Sequence, residues 1–269
     1  MEAAPAKPTM KTTMLTGIRA QLRVIGALVM REMITRYGRE NVGFLWLILE
    51  PMILTLGVMA MWTLLKHESH GLGIIAFVLS GYMPLTLWRH VSSQLVSCLK
   101  HNLPLMYHRQ IRMADTLMAR ALLEVGGTTL ALIIVYTGTR LAGLMEPYHD
   151  LGLVMAGWFF MAWFAFGVGL MLAALAEFFE FVEKLIAPLQ YLTLPISGMF
   201  FMVSWLPTDI QKLALYVPLV HCFEMFRSGT FGDTIVAHYD ISYIFSCCLI
   251  TTAIGFFLIE RVRDHIKFE

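Results

Sequence analysis

An acidic side chain and a proline interrupt the first long apolar run of the sequence, directly after a basic segment. The run begins at Gly43 and contains Glu50 followed by Pro51, and the segment before it carries Arg36 and Arg39. A carboxylate at membrane depth is costly unless it has a partner or faces a water-filled cavity. Proline removes one helix hydrogen bond. These residue types therefore indicate a functional position in a membrane-crossing helix, close to a cluster that can bind anions.

Arginine suits phosphate and carboxylate groups because its planar guanidinium offers two parallel donors. Arg31, Arg36 and Arg39 are therefore candidates for binding a lipid-linked phosphate or an acidic sugar, with lipid headgroups as the alternative ligand. Arg89 lies in the second apolar run, where facing lipid would cost at least about 2.5 kcal/mol. We expect Arg89 either to contact a substrate or to pair with a buried acid such as Glu50.

A third polar group combines a histidine, an acid and an arginine. His221, Glu224 and Arg227 are spaced at i, i+3 and i+6, so they share roughly one face of a helix. Two ligands, His221 and Glu224, are too few for a closed metal site. We therefore predict a locally salt-bridged face and no metal.

The sequence contains no motif for catalysis or nucleotide binding. G-x-x-x-x-G-K-[ST], H-E-x-x-H and G-x-S-x-G are all missing, so neither a P-loop, a zinc protease site nor a nucleophile elbow is expected. Glu50 and Glu124 are the acids inside the clearest apolar runs, whereas proton-coupled transporters usually show a denser relay. We expect a chain that is not an enzyme, binds no cofactor and takes its energy from a partner.

The composition indicates a membrane protein built from helices. Of the 269 residues 58% are hydrophobic and 14% are charged, against about 25% charged residues in soluble domains. A spanning helix needs about 20 mostly apolar residues. We predict an all-α integral membrane protein with six transmembrane helices, at 43–65, 71–99, 116–138, 151–176, 182–202 and 241–259.

Lysine and arginine predict the orientation of these spans. They concentrate in residues 1–42, in the loop 100–115 and in the tail 261–269, so both termini are expected in the cytoplasm and the transmembrane domain at 43–260. Residues 15–36 are predicted to form an amphipathic helix that lies at the cytoplasmic interface or packs on a partner protein.

The loop 100–115 places apolar side chains beside basic ones, and such a patch usually marks an interaction site. The alternative is a loop that folds back on the membrane surface. The residues concerned are Leu103, Leu105, Tyr107, Arg109 and Arg112.

Proline and glycine divide the segment 193–232 into pieces too short to span. Non-helical backbone at membrane depth is tolerated only inside protein or beside a water-filled cavity. We therefore predict two short re-entrant helices that dip in from the non-cytoplasmic side, the second opened by Pro218 and ended by Gly229.

Four sequence patterns resemble those of the membrane (permease) subunits of ABC-type capsular polysaccharide exporters, which are related to O-antigen exporter permeases. R-[FY]-G matches residues 36–38 and G-[FY]-L-W-x-x-L-E-P matches 43–51. P-x-S-G-x-x-F matches 195–201, and N-P-L-x-H-x-x-E-x-x-R matches 217–227 except that Val217 replaces its asparagine.

The resemblance implies a homodimer with a channel at its interface and two copies of a cytoplasmic ATPase, which holds ATP and Mg. It implies a coupling helix in 100–115, a periplasmic co-polymerase or adaptor, a location in the bacterial inner membrane and a lipid-linked acidic polysaccharide as cargo. Arg31, Arg36, Arg39, Glu50 and Arg89 would then line the substrate's access route, and His221, Glu224 and Arg227 a periplasmic gate. No nucleic acid is expected.

A glycan channel would use aromatic rings, although rings in membrane spans also pack on neighbouring helices and on lipid. The candidate channel-lining residues are Trp62, Trp158, Phe159, Trp163, Phe166, Tyr191, Phe200 and Phe201. Alternative cargoes are O-antigen, teichoic acid or a small lipophilic molecule. A membrane-embedded glycan- or lipid-modifying enzyme and a structural scaffold are the alternatives from other classes.

Overall fold

The computed structural model describes residues 10–37, 42–65, 71–102 and 112–266. Every regular element within these ranges is a helix, which confirms the predicted all-α class. The helices are α1 (Met10–Tyr37), α2 (Val42–Leu64), α3 (Ile74–Asn102), α4 (Met113–Leu141), α5 (Leu151–Phe178), α6 (Glu180–Thr193), α7 (Thr208–Ala214), α8 (Pro218–Phe231) and α9 (Ile241–Ile266). Short 3-10 turns lie at Val203–Trp205 and Gly232–Thr234.

Among the described helices, four are long and apolar enough to cross a membrane. Their apolar parts are Ile74–Leu99, Met113–Leu141, Leu151–Phe178 and Ile241–Val262, and they confirm the predicted second, third, fourth and sixth spans as helices of spanning length. The predicted first span forms α2, whose 23 residues correspond to about 35 Å at 1.5 Å per residue. α2 continues through Pro51, and the Thr55 hydroxyl donates to the Pro51 carbonyl at 2.8 Å.

The prediction of one continuous helix over 182–202 is wrong. α6 has 14 residues, about 21 Å, which is short of the roughly 30 Å hydrocarbon core. After Thr193 the chain turns, and Gly198 adopts a left-handed φ of +93°. Pro195 lies in this turn, where its ring is incompatible with continuing the helix.

α5 is the central helix of the bundle and packs against α3, α8 and α9. Glycines permit its closest approach to α8. A β-carbon at Gly229 of α8 would lie 2.5 Å from the Val154 nitrogen, and one at Gly157 of α5 would lie 2.7 Å from the Phe226 nitrogen. Small residues at such contacts let two backbones approach closely, as is typical of membrane helices.

α1 packs on the N-terminal half of α4. Ile25 and Leu28 are buried against Ala119, and the Gln21 amide donates to the Asp115 carboxylate at 3.1 Å. Leu22, an apolar residue of the predicted amphipathic helix one turn before Ile25, is 63% exposed. The contact face of α1 therefore leaves part of its apolar surface uncovered.

The two predicted short helices of the segment 193–232 are α7 and α8. Pro218 occupies the first turn of α8 as expected. The helix ends at Phe231 rather than at Gly229, because Gly232 takes the left-handed φ of +57° that terminates it.

Candidate functional site

The acid of the first span is paired with a histidine rather than an arginine. Glu50 Oε1 lies 3.8 Å from His90 Nε2, and the Glu50 side chain remains 47% exposed. α2 and α3 pack together and so bring these two side chains within reach. Arg89, one of the two predicted roles of which was to pair with Glu50, makes other contacts.

The contacts of His90 continue towards α4. Its Nδ1 lies 3.5 Å from Glu124 Oε2, and Glu124 Oε1 is 2.8 Å from Arg120 Nη2. Arg120 and Glu124 are one helical turn apart, and their side chains are only 4% and 1% exposed. Charges this deeply buried are stable only when they are paired and hydrogen-bonded.

Arg120 reaches two further helices. Its Nη1 lies 3.3 Å from Glu32 Oε2 on α1, and its Nη2 donates to Gln94 Oε1 on α3 at 2.9 Å. The planar guanidinium allows these contacts to be made at once. We call Glu32, Arg120, Glu124, His90 and Glu50 the buried relay.

Sequence reasoning missed most of the buried relay. The i, i+4 spacing of Arg120 and Glu124 inside an apolar run is a signal that could have indicated its centre. The other members lie on three different helices, so no local spacing connects them.

Arg89 lies over an aromatic ring. Its guanidinium carbon is 5.2 Å from the centre of the Tyr191 ring, within the range of a cation–π contact. Arg89 is half-buried and Tyr191 is 60% exposed. Gln190 joins α6 to α3 next to this contact, because its side-chain amide donates to the Arg89 carbonyl at 3.2 Å and to the Ser92 hydroxyl at 3.0 Å.

The structure divides the predicted channel-lining aromatics into surface and interior positions. Trp62 and Phe200 line one shallow groove, and Phe159 and Phe200 are exposed. Phe201 is half-buried. These residues and Tyr191 remain candidates for the channel.

The other aromatics of α5 pack between helices. Trp158 is buried and donates to the Thr129 hydroxyl at 2.9 Å, so its ring has no face for a channel at the subunit surface. Trp163 donates to the Thr252 hydroxyl at 3.1 Å. The rings of Phe166 and Phe256 pack edge to face, with their centres 6.0 Å apart.

His221 and Glu224 are buried, which corrects the prediction of a locally salt-bridged face. The Glu224 carboxylate accepts hydrogen bonds from the backbone amides of Val203, at 3.0 Å, and His238, at 2.9 Å. His221 Nδ1 accepts from the Asp240 amide at 2.9 Å, and its Nε2 lies 2.8 Å from the Leu215 carbonyl. Both side chains therefore fix the loops that flank α8.

Arg227 is fully buried and binds main-chain carbonyls. It donates to Gly198 at 2.7 Å, to Phe201 at 2.5 Å and to Met199. Its guanidinium carbon lies 4.5 Å from the centre of the Phe77 ring. The three predicted gate residues thus hold the non-helical stretches together, and their role in a gate stays a prediction.

The predicted cytoplasmic site residues are described in part. Arg31 is half-buried on α1, and Arg36 lies in the last turn of that helix. Arg112 is exposed just before α4. Four coupling-loop residues and one arginine of the basic cluster lie outside the described residues: Leu103, Leu105, Tyr107, Arg109 and Arg39.

Apolar helices of spanning length with charged residues paired between them are typical of an integral membrane protein in which those residues have a functional role. The chain belongs to the ABC-2 type transporter family, whose pattern matches residues 23–231. It is therefore a transport permease.

Several similar proteins align with nearly the full length of the chain. The capsule polysaccharide export inner-membrane proteins CtrC of Neisseria meningitidis and BexB of Haemophilus influenzae are each 40% identical to it over 258 residues, 96% of this chain and 97% of the relative. The polysialic acid transport protein KpsM of Escherichia coli is 28% identical over 260 residues, 93% of this chain and 97% of KpsM.

Proposed function

We propose that this chain is the transmembrane subunit of an ATP-driven exporter that moves lipid-linked capsular polysaccharide across the bacterial inner membrane. The observation that carries the proposal is 40% identity to proteins named for capsule polysaccharide export, over 96% of this chain. Membership of the ABC-2 type transporter family supports the same conclusion.

The exposure of Glu50 supports a homodimer with a channel along its interface. Glu50 lies mid-helix in α2, and nearly half of its side chain is exposed in the single subunit. A carboxylate that faced lipid there would be destabilising. A second copy of the chain, or water in a channel between two copies, would remove that cost. Each subunit would contribute six spans, with α6 and the turn after it as the fifth crossing.

Arg89 and Tyr191 are the substrate contacts that we propose for this channel. A half-buried guanidinium attracts carboxylate or phosphate groups of an acidic glycan. An exposed tyrosine beside it offers a flat ring to a sugar and a hydroxyl to its neighbours. Arg31, Arg36 and Arg39 would bind the lipid-linked phosphate on the cytoplasmic side, before the polymer reaches Glu50 and Arg89.

The remaining partners follow from the same proposal. Two copies of a cytoplasmic ATPase would bind ATP and Mg and contact loop 100–115 and α1. A periplasmic co-polymerase or adaptor would dock near α7 and α8. Both termini would lie in the cytoplasm, in agreement with the lysine and arginine distribution.

The first test is the location of the glycan after deletion of this chain in its native host. Cells are fractionated, and acidic polysaccharide is quantified on the surface and inside. We expect surface polysaccharide to disappear and full-length polymer to accumulate in the cytoplasm. Unchanged surface polysaccharide would contradict the capsule assignment and favour O-antigen, teichoic acid or a small lipophilic cargo.

The second test concerns Arg89. We expect Arg89→Ala to block export while the variant still assembles with the ATPase, because the side chain lies on the surface that would face the polymer. Arg140→Ala is the matched control, since Arg140 is an exposed arginine at the far end of α4 that donates to the Met145 carbonyl. Surface glycan at the wild-type level in Arg89→Ala would remove Arg89 from the channel.

A further inference from the structure

The buried relay connects the cytoplasmic interface helix to the first span. Glu32 is on α1, Arg120 and Glu124 are on α4, His90 is on α3 and Glu50 is on α2. Each neighbouring pair of charged or titratable groups in this order lies within 2.8–3.8 Å. Ionisable side chains at this depth in an apolar bundle are costly, so their presence usually marks a functional position.

Glu50 is the accessible end of the buried relay. Its side chain is 47% exposed, whereas those of Glu32 and His90 are 15% and 13% exposed and those of Arg120 and Glu124 are almost fully buried. Withdrawal of Glu32 from Arg120 would leave the guanidinium with Glu124 and Gln94 as its partners. In a low-dielectric interior this change strengthens the Arg120–Glu124 pair and alters the field at His90 and Glu50.

We propose that the buried relay couples the position of α1 to the position of Glu50, so that movement of the interface helix is transmitted electrostatically to the first span. The inference rests on the transport function proposed above, because an interface helix is moved by an ATPase only in a working transporter. Arg120 is then a positioning residue: it acts on the substrate path through Glu124 and His90.

A second polar contact between α1 and α4 provides a matched control. The Gln21 amide donates to Asp115 at 3.1 Å, and neither residue contacts a member of the buried relay. Gln21→Leu therefore weakens the attachment of α1 to α4 without changing the relay. Glu32→Gln weakens the same attachment and also removes the negative charge that Glu32 places next to Arg120.

The first measurement uses the complete complex of this chain with its ATPase in proteoliposomes. ATP hydrolysis and polysaccharide uptake into the vesicles are measured on the same samples. We expect Glu32→Gln to hydrolyse ATP within about twofold of wild type while the polysaccharide moved per ATP falls at least tenfold. Gln21→Leu is expected to keep the wild-type ratio. An equal loss in both variants would show that the relay only holds α1 in place.

A second readout follows Glu50 without measuring transport. Ile53 lies one turn after Glu50 on α2 and is 56% exposed. In an Ile53→Cys, Cys247→Ala variant, the rate of modification by a water-soluble thiol reagent is measured with and without ATP. We expect ATP to change this rate in the otherwise wild-type complex and with Gln21→Leu, but not with Glu32→Gln. A retained ATP response in Glu32→Gln would overturn the proposal.

A double-mutant cycle tests whether the coupling passes through the relay. If Glu32 acts through His90, adding His90→Asn to Glu32→Gln lowers the transport per ATP no further. Independent sites would multiply their effects to within about a factor of two, and that result would overturn the relay. The wild-type complex separates the two proposals, because absence of polysaccharide uptake there contradicts the proposed function itself.

Discussion

Arg227 illustrates at the residue scale how a charge becomes tolerable inside the bundle. Its guanidinium donates to the carbonyls of Gly198, Met199 and Phe201, which belong to the stretch where α6 has ended. These carbonyls belong to residues outside any helix, and Gly198 and Met199 are buried, so the carbonyls need donors from the protein itself. The fork geometry of one arginine satisfies all of them, so non-helical backbone can persist next to α8.

Replacing Arg227 is expected to destabilise the protein strongly. Arg227→Leu would leave those carbonyls without donors, and each buried unsatisfied group costs about 1–3 kcal/mol. Arg227→Lys keeps the charge but loses the planar fork, so we expect an intermediate loss. The measurement is the thermal unfolding midpoint of the detergent-solubilised protein, with Arg140→Leu as the exposed control. An Arg227→Leu midpoint equal to that of the control would contradict this account.

The partners of Arg227 and Glu224 could not have been predicted from spacing. The i, i+3, i+6 pattern correctly placed His221, Glu224 and Arg227 together on one short helix, since the period of a helix determines which side chains share a face. Their ligands are main-chain groups up to 29 residues away in sequence. Such groups have no side-chain signature, so local reasoning favoured the salt-bridged face.

At the scale of elements, length and apolarity predict most helices because each must satisfy its own backbone hydrogen bonds in lipid. α3, α4, α5 and α9 were predicted on this basis. α6 was predicted with its start but not with its end, since the apolar run continues beyond Thr193 while the backbone turns there. Glycines with the same local sequence setting differ in their contacts: a β-carbon at Gly167 would lie 2.5 Å from Thr251 Oγ1, whereas one at Gly126 would meet nothing within 4 Å.

The α5–α8 contact should be intolerant of a single added methyl group. In Gly229→Ala the new carbon would meet the Val154 nitrogen at 2.5 Å and the Asp150 carbonyl oxygen at 2.6 Å, so backbone must move. Overpacking of this kind typically costs about 1–3 kcal/mol. We expect a lower thermal unfolding midpoint and reduced export for Gly229→Ala.

Gly126→Ala is the matched control for that prediction, because a β-carbon there meets nothing within 4 Å. It should leave the midpoint unchanged or raise it slightly, since alanine favours helix by up to about 1 kcal/mol over glycine. Equal destabilisation by Gly126→Ala and Gly229→Ala would show that close packing against α5 is not the reason why position 229 requires glycine.

At the scale of the whole molecule, the distribution of basic residues predicts an orientation that the ends of α4 make testable. Arg112 is exposed just before α4, and Glu146 is exposed in the loop that follows it. The 29 residues of α4 extend about 43 Å, enough to cross a bilayer. Because basic residues favour the cytoplasm, Arg112 and Glu146 should lie on opposite sides of the membrane.

Cysteine labelling in spheroplasts tests this orientation. Cys98, Cys222 and Cys248 are buried, so a Cys247→Ala background leaves little intrinsic reactivity. Glu146→Cys should react with a membrane-impermeant maleimide in intact spheroplasts, and Arg112→Cys only after lysis. The reverse pattern would invert the topology and place α7 and α8 on the cytoplasmic side. Reaction of both cysteines before lysis would mean that α4 does not cross the membrane, and would remove the basis for a channel between two copies of this bundle.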